Sequence, residues 1–496
     1  MEVFYKSTRG DGTLVTSSQA ILKGLADDGG LFVPDHIPQL EIPLEHFADM
    51  DYRQTAYEVM RLMLTDYTDD ELHACIDHAY DAKFDCEEIA PVKKVGGVHF
   101  MELFHGSTIA FKDMALSILP HLLTTAARKN EITDDIVILT ATSGDTGKAA
   151  LAGFADVPHT RIIVFYPKGG VSKIQELQMV TQKGENTFVV GVKGNFDDAQ
   201  TGVKMMFNDS NLKQALNDNG LRFSSANSIN IGRLVPQIAY YVWAYSRLVK
   251  DRTIKAGDPI NFVVPTGNFG NILAGYYAKR MGIPVNKMIC ASNDNKVLYD
   301  FFRTGTYDRN RDFILTSSPS MDILISSNLE RLIYLITGEK EVDCKAFMKE
   351  LSEKGSYTIT ESEKELLADF YGEYASEEEN AQGIKETFEQ YGYVTDTHTG
   401  VANCVYRKYL KETGDQTPTV IVSTASPYKF ARSVMSAIKG EQTADDFVLI
   451  GQLETLSGTP IPNAIKEIMD AKILHDTVCE TGAMESVVRK YLGLEG

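Results

Sequence analysis

Six short runs of β-branched and other apolar residues punctuate the chain: Ile136–Leu139, Arg161–Phe165, Phe188–Val192, Ile260–Val264, Met288–Ala291 and Val420–Val422. Each is apolar at successive positions and bounded by polar residues or glycine, the pattern of a strand covered by helices on both faces. Helical patterns fill the gaps, so strands recur at intervals of roughly 25 to 35 residues, the rhythm of βαβ units and a parallel sheet. Ile231, Leu234, Ile238, Tyr241, Val242, Tyr245 and Leu248 mark one long helix. Ala115, Ile118, Leu119, Leu122, Leu123 and Ala126 mark another, in which Pro120 predicts a kink or a lost hydrogen bond.

The start of the chain breaks this rhythm, with helical patterns, a Gly29-Gly30 turn and Phe32-Val33-Pro34. Residues 1–95 are therefore expected to form an N-terminal unit, followed by α/β regions over 96–255 and 256–496. An acidic stretch at about 340–390 reads as a helical insertion before the second region resumes. Three units agree with a length of 496 residues at about 150 residues per domain.

Composition narrows the function classes. With 43% hydrophobic and 24% charged residues the chain is of ordinary globular type. The formal net charge of −19 argues against nucleic acid or an anionic membrane as the main partner. Much of it is local: between Glu361 and Glu389 ten acidic residues face only Lys364 and Lys385, which reads as a solvated helical face. The six cysteines are scattered, without a Cys-x-x-Cys pair, as suits reduced thiols in a cytosol. No signal-peptide core or long apolar run is present, so a cytoplasmic protein is expected, with a monomer favoured.

The common nucleotide, zinc and hydrolase signatures are missing, and His73 and His78, five apart, make a poor ligand pair. No metal is expected. Three other segments carry chemistry. Pro265-Thr266-Gly267-Asn268-Phe269-Gly270-Asn271 follows an apolar strand and opens a helix, a geometry in which backbone N–H groups and the helix N-terminus can hold a phosphate. A plain strand-to-helix turn explains it equally well. Thr142-Ser143-Gly144-Asp145-Thr146-Gly147 occupies the corresponding place after the strand ending near Leu139; it is either a second anion loop or a helix capped by Asp145 or Thr146. Lys112, after Ile109-Ala110-Phe111, opens an apolar helix, where desolvation would lower its pKa as a Schiff-base lysine needs. Taken singly it is also an ordinary surface lysine. One amine, one phosphate cradle and one carboxylate-type loop together make the set that pyridoxal phosphate requires.

In these segments the chain resembles the threonine synthases of the longer bacterial and fungal kind, within the tryptophan synthase β-like, fold type II, pyridoxal phosphate enzymes. The resemblance spans nearly the whole chain. It runs through Tyr5-Lys6-Ser7-Thr8-Arg9-Gly10, Gly29 to Pro34, His105 to Asp113, Ala141 to Gly147, Gly194 to Asp198, Asn227 to Asn230, Pro265 to Asn271, Ser317 to Ile323 and Ser423-Thr424-Ala425. It implies an α/β fold of two open twisted sheet domains, with the N-terminal unit and the acidic insertion added.

It also implies a lyase that converts O-phospho-L-homoserine and water to L-threonine and phosphate, the last step of threonine biosynthesis. By the same resemblance Lys112 is the Schiff-base lysine, the backbone of Gly267, Asn268, Phe269, Gly270 and Asn271 holds the cofactor phosphate, and the Thr424 hydroxyl meets the pyridine nitrogen. Thr142, Ser143, Gly144, Asp145 and Thr146 are implied to meet the substrate carboxylate and the ring oxygen. Asp145 stands where many relatives of the fold carry Asn, so its contact needs a protonated partner or a different donor. For the substrate phosphate the candidates are Arg233, with Lys173 and Ser172 behind it. Ser426-Pro427-Tyr428-Lys429-Phe430 departs from the common version of its segment, and Asp396-Thr397-His398 is explained by helix capping. A threonine or serine dehydratase of the same fold is the nearest rival, and a non-catalytic phosphate-binding protein the rival from another class.

Overall fold

The computed structural model describes residues 2–10, 12–142 and 144–494. All six apolar runs are strands, divided between two sheets. Leu221–Ser224, Asp135–Ala141, Thr160–Pro167, Thr187–Lys193 and Val478–Glu480 form, in that order, a five-stranded parallel sheet. Phe370–Tyr374, Val285–Ser292, Ile260–Pro265, Thr419–Ser423 and Val98–Glu102 run parallel in the second sheet, closed by the antiparallel strand Val92–Val95. Strand Asp135–Ala141 shows why these runs lack alternation: Ile136 and Ile138 face the main core, whereas Val137 and Leu139 face a second core on the opposite side.

The sheets do not respect the boundary expected near residue 255. Val98–Glu102 belongs to the sheet built mostly from residues 260–423, and Val478–Glu480 returns to the edge of the other. The acidic stretch is likewise more than a helical insertion. Helices Glu341–Lys354 and Glu377–Tyr391 flank Phe370–Tyr374, the edge strand of the six-stranded sheet. Its Phe370 and Gly372 are buried while its acidic neighbours are not, so charge masked a strand.

Pro120 does more than kink its helix. The segment divides into Asp113–Leu116 and Leu119–Lys129, with Pro120 in the first turn of the second, where its missing N–H costs nothing. The long helix Ile231–Lys250 is buried from Ile231 to Leu248. Around it the N-terminal unit is fastened by tyrosine and tryptophan handles: Tyr80 Oη donates to the Met114 carbonyl (2.7 Å), Tyr67 Oη to Leu122 (2.9 Å) and Trp243 Nε1 to Ala90 (2.7 Å). Two of these acceptors lie on the helices that follow Lys112, so the N-terminal unit buttresses that lysine. Among the described residues no helix is long and apolar enough to cross a membrane.

Candidate active site

Lys112 ends the loop that begins at His105. This loop is stitched to the chain leaving strand Thr419–Ser423. Phe111 N–H donates to the Thr424 carbonyl (2.7 Å), Ser426 N–H donates to the Ile109 carbonyl (3.0 Å), and Ala110 bridges Ala425. Inside the loop Asp113 accepts from the N–H and hydroxyl of Thr108 at 2.8 and 2.6 Å. Ile109 sits between these restraints at a φ of +52°, a conformation that a β-branched residue keeps only when its surroundings impose it. In consequence Lys112, Thr424, Asp145, Ser320 and His398 line one narrow cleft. A wider cavity of about 470 Å³ beside Arg9, Lys23 and Asp28 shares no lining residue with it and offers no such amine and loop pair.

The Gly267–Asn271 loop leads from strand Ile260–Pro265 into helix Gly270–Arg280, which no side chain caps. A Cβ on Gly267 would stand 2.5 Å from the Ser320 carbonyl oxygen, so only glycine lets the two backbones pass. Ser326 Oγ donates to the Gly267 carbonyl (2.7 Å), and the Asn328 N–H and Nδ2 donate to that of Asn268 (3.0 and 3.1 Å). These bonds fix the loop through its carbonyls and leave the uncapped helix N-terminus to an anion. Asn271 Oδ1 accepts from the hydroxyls of Tyr240 (2.6 Å) and Tyr241 (2.7 Å), while its Nδ2 is buried without a partner among the described residues. Uncapped amides and an orphaned donor fit a phosphate better than a plain turn.

The cleft is rich in cations. Lys112 Nζ donates to Ser320 Oγ (3.0 Å) and lies 3.7 Å from Asp145 Oδ2, with its side chain 12% exposed. Burial pushes the amine down to about 8; the attraction of Asp145 only partly offsets this, and Lys429 and Arg233 add repulsion. Burial alone would push the Asp145 carboxyl up, but Lys429, Lys112 and Gln175 outweigh it and hold the group ionised. Arg233 is 3% exposed and donates to the Ala226 carbonyl (3.0 Å). It makes no ion pair among the described residues, and its Nε has no partner. Burial pushes this guanidinium down to about 10, still charged at neutral pH. Lys112 and Lys429 thus share one carboxylate and Arg233 has none among the described residues, an excess of positive charge that suits a ligand carrying several anionic groups.

The remaining predicted residues fall as follows. Thr142 Oγ1 accepts from the N–H groups of Gly144 (3.0 Å) and Gly147 (2.9 Å), closing the loop before helix Asp145–Phe154. Among the described residues no side chain caps that helix, so neither Asp145 nor Thr146 plays that part; Thr146 is half-buried in its first turn. Ser143 lies outside the described residues. Ionised Asp145 would repel a substrate carboxylate, so its expected contact is revised: its partners are Lys429, Gln175, Ser320 and Lys112. Ser172 caps helix Lys173–Val180, and Lys173 is half-exposed and pairs with Asp445 at 2.8 Å, so neither is brought against Lys112.

Sequence reasoning passed over four groups. Lys429, in the turn Pro427–Phe430, is 2% exposed and reaches Asp145. Ser320 bridges Lys112 and Asp145. His398 Nε2 accepts from the Ser320 N–H (3.1 Å) while its Nδ1 bonds the fully buried Asp396 (2.7 Å), which also caps helix Thr397–Thr413. Gln175 Nε2 donates to Asp145 Oδ1 (3.0 Å). All lie in or beside quoted segments, but only the three-dimensional packing turns them inward.

Two largely parallel sheets, a desolvated lysine and an uncapped glycine loop define the class of pyridoxal-phosphate dependent enzymes, and residues 85–425 match the family model of that description. Residues 4–80 match the model "Threonine synthase N terminus" and residues 399–478 the model "Threonine synthase, C-terminal". The chain belongs to the threonine synthase family. It is 37% identical over 469 residues to the threonine synthase of Schizosaccharomyces pombe, covering 88% of this chain and 90% of that one. It is 40% identical over 467 residues to human threonine synthase-like 1, covering 91% of this chain but only 62% of that longer protein. The crystal structure of PLP-bound threonine synthase from Brucella melitensis superposes with a TM-score of 0.87 at 32% identity, over 99% of both chains.

Proposed function

We propose that the protein converts O-phospho-L-homoserine and water to L-threonine and inorganic phosphate with pyridoxal phosphate as cofactor. The observation that carries this reading is Arg233, a buried guanidinium with no counter-charge among the described residues, in electrostatic contact with Lys112. A dehydratase acting on threonine or serine needs no second phosphate site; a phosphorylated amino acid does. When bound, the pyridoxal ring withdraws electrons from the carbon bearing the substrate amine. Lys112 would hold the cofactor through its aldehyde and would be the base that moves protons at the substrate Cα and beyond; an amine titrating near 8 has a useful free-base fraction at neutral pH. Gly267 to Asn271 hold the cofactor phosphate, and the Thr424 hydroxyl meets the ring nitrogen. The uncapped N-terminus of helix Asp145–Phe154, with Thr142, Gly144 and Thr146 around it, takes the substrate carboxylate. Arg233 takes the phosphate that leaves.

The fungal relatives, matched over nine-tenths of their length, support this assignment, as do the threonine synthase models matched at both ends of the chain. A cytoplasmic setting, with this metabolite as the partner, belongs to the same proposal; the six cysteines are all unpaired. The test is to supply O-phospho-L-homoserine and measure phosphate and threonine together. Equal release of both is expected; ammonia from threonine or serine, without phosphate release, would identify a dehydratase instead.

A further inference from the structure

We infer that Lys429 is a positioning residue for Lys112, acting through Asp145: by occupying one oxygen of that carboxylate it leaves Lys112 a partner already claimed. The inference rests on the reading of Lys112 as the cofactor-bearing lysine. The geometry is a bridge. Lys429 Nζ lies 3.2 Å from Asp145 Oδ1 and donates to the Thr108 carbonyl at 2.9 Å. Gln175 Nε2 donates to the same carboxylate oxygen at 3.0 Å. The opposite oxygen, Oδ2, accepts from Ser320 Oγ at 2.9 Å and stands 3.7 Å from Lys112 Nζ. The closer ammonium is therefore the one that has no reaction to perform.

A lysine whose side chain is wholly removed from solvent needs a reason to be charged, and Asp145 supplies it. The reverse also holds. Without Lys429 the buried carboxylate would face Lys112 as its sole lysine partner and hold the proton there, which is the wrong state for an amine that must attack an aldehyde. The other charges around the bridge do not replace Lys429. Asp113, next to Lys112, and Lys148, on the helix that begins at Asp145, also act on it, and Asp113 is already occupied by Thr108. Arg233 faces Lys112 but only repels it, and His398 reaches the bridge through the Ser320 N–H. Thr108 adds a second link: its carbonyl ties Lys429 to the loop that carries Lys112, so one side chain fixes both the charge and the loop.

The experiment follows the rate at which Lys112 is acylated by a dilute anhydride in the full-length chain before cofactor is added, as a function of pH, read by peptide mass spectrometry. Lys429→Gln keeps a donor for Asp145 and Thr108 without the charge. It is expected to move the Lys112 midpoint up by about one unit, slowing acylation about tenfold near neutral pH, and Lys429→Arg to restore the original midpoint. Asp145→Asn is expected to move the midpoint down, and Lys429→Gln added to it to raise the midpoint by distinctly less than in the parent, because only the direct repulsion is then lost. Circular dichroism establishes that each variant is folded, and if Lys429→Gln is not, the double variant, which leaves neither charge unpaired, is compared with Asp145→Asn. An unchanged Lys112 midpoint in Lys429→Gln, or an equal shift with and without Asp145, would overturn the inference. The functional reading fails separately, if the wild-type protein takes up no pyridoxal phosphate at Lys112.

Discussion

Arg9 grips Glu330 through two N–H···O bonds of 2.7 and 2.6 Å, joining the first strand region of the chain to helix Leu329–Ile336. Thr8 Oγ1 donates to the same carboxylate at 2.5 Å. Glu330 is 5% exposed, and the N-terminal unit is thereby anchored beside Asn328, which holds the Gly267–Asn271 loop. Glu330→Ala should leave a guanidinium and a hydroxyl without their acceptor. The expected cost is about 3 kcal/mol, at the low end for a buried pair because Arg9 keeps some access to water. Urea denaturation measures it, and limited proteolysis should cut first within the opening segment; an unchanged midpoint would show that the clamp bears no weight.

Lys112→Ala should give a folded protein that binds pyridoxal phosphate without the visible absorbance of a lysine-linked cofactor and releases no phosphate from O-phospho-L-homoserine. Persistence of that absorbance would assign the linkage to another lysine, of which Lys429, buried against Asp145, is the first candidate.

Arg233→Met separates stability from function. A buried charge without a counter-ion is a cost to folding, so the variant is expected to melt no lower than the parent protein. The substrate, in contrast, would lose a charge-assisted contact of about 1.5–3 kcal/mol, a rise in KM of roughly ten- to a hundredfold. Steady-state kinetics beside a thermal melt decides the matter; an unchanged KM would move the substrate phosphate elsewhere.

The two glycine loops were legible because each follows a strand whose apolar run is unmistakable, and Lys112 because Ile109-Ala110-Phe111 precedes it and an apolar helix follows. Lys429 was not, since a lysine in Pro427-Tyr428-Lys429-Phe430 has the same local pattern whether it points to water or to Asp145. Its burial is decided by Ser426 and Ile109, which bond across from distant parts of the chain. The two sheet assignments that differ from expectation have the same origin. Val478-Cys479-Glu480 is too short and too polar to read as a strand, and nothing local in Val98–Glu102 says which sheet it will join. The six strands predicted from pattern show that periodicity reports burial, whereas partner choice is a long-range property.

His105 predicts a pH dependence. Burial opposes its charge, but hydrogen bonds to Asp85 (2.7 Å) and Glu102 (3.0 Å) prevail and raise its pKa to about 9. A pKa raised on folding contributes stability that is complete below about 6.5, the unfolded value, and is lost as pH rises towards 9. The fall should reach up to about 3 kcal/mol, and His105→Gln should remove it. Denaturation midpoints at two pH values flanking that window test this; parallel behaviour of parent and variant would exclude His105 as the source.

Gly267→Ala should shift the Ser317–Ile323 segment, because the added methyl meets a backbone carbonyl that cannot swing aside. Weaker cofactor binding with little loss of helix content is the expected result, read by equilibrium dialysis and circular dichroism.

The interleaving of the two sheets governs how this molecule can be made. Strand Val98–Glu102 is made early but must wait for Thr419–Ser423 to lie beside it, and Thr187–Lys193 waits almost as long for Val478–Glu480. The six-stranded sheet cannot be completed before Thr419–Ser423 is made, nor the five-stranded sheet before Val478–Glu480, so the growing chain carries open strand edges over long stretches of its synthesis. Loss of Val478–Glu480 should therefore uncover the edge of Thr187–Lys193, in the sheet made earliest, and leave the strands of the other sheet paired.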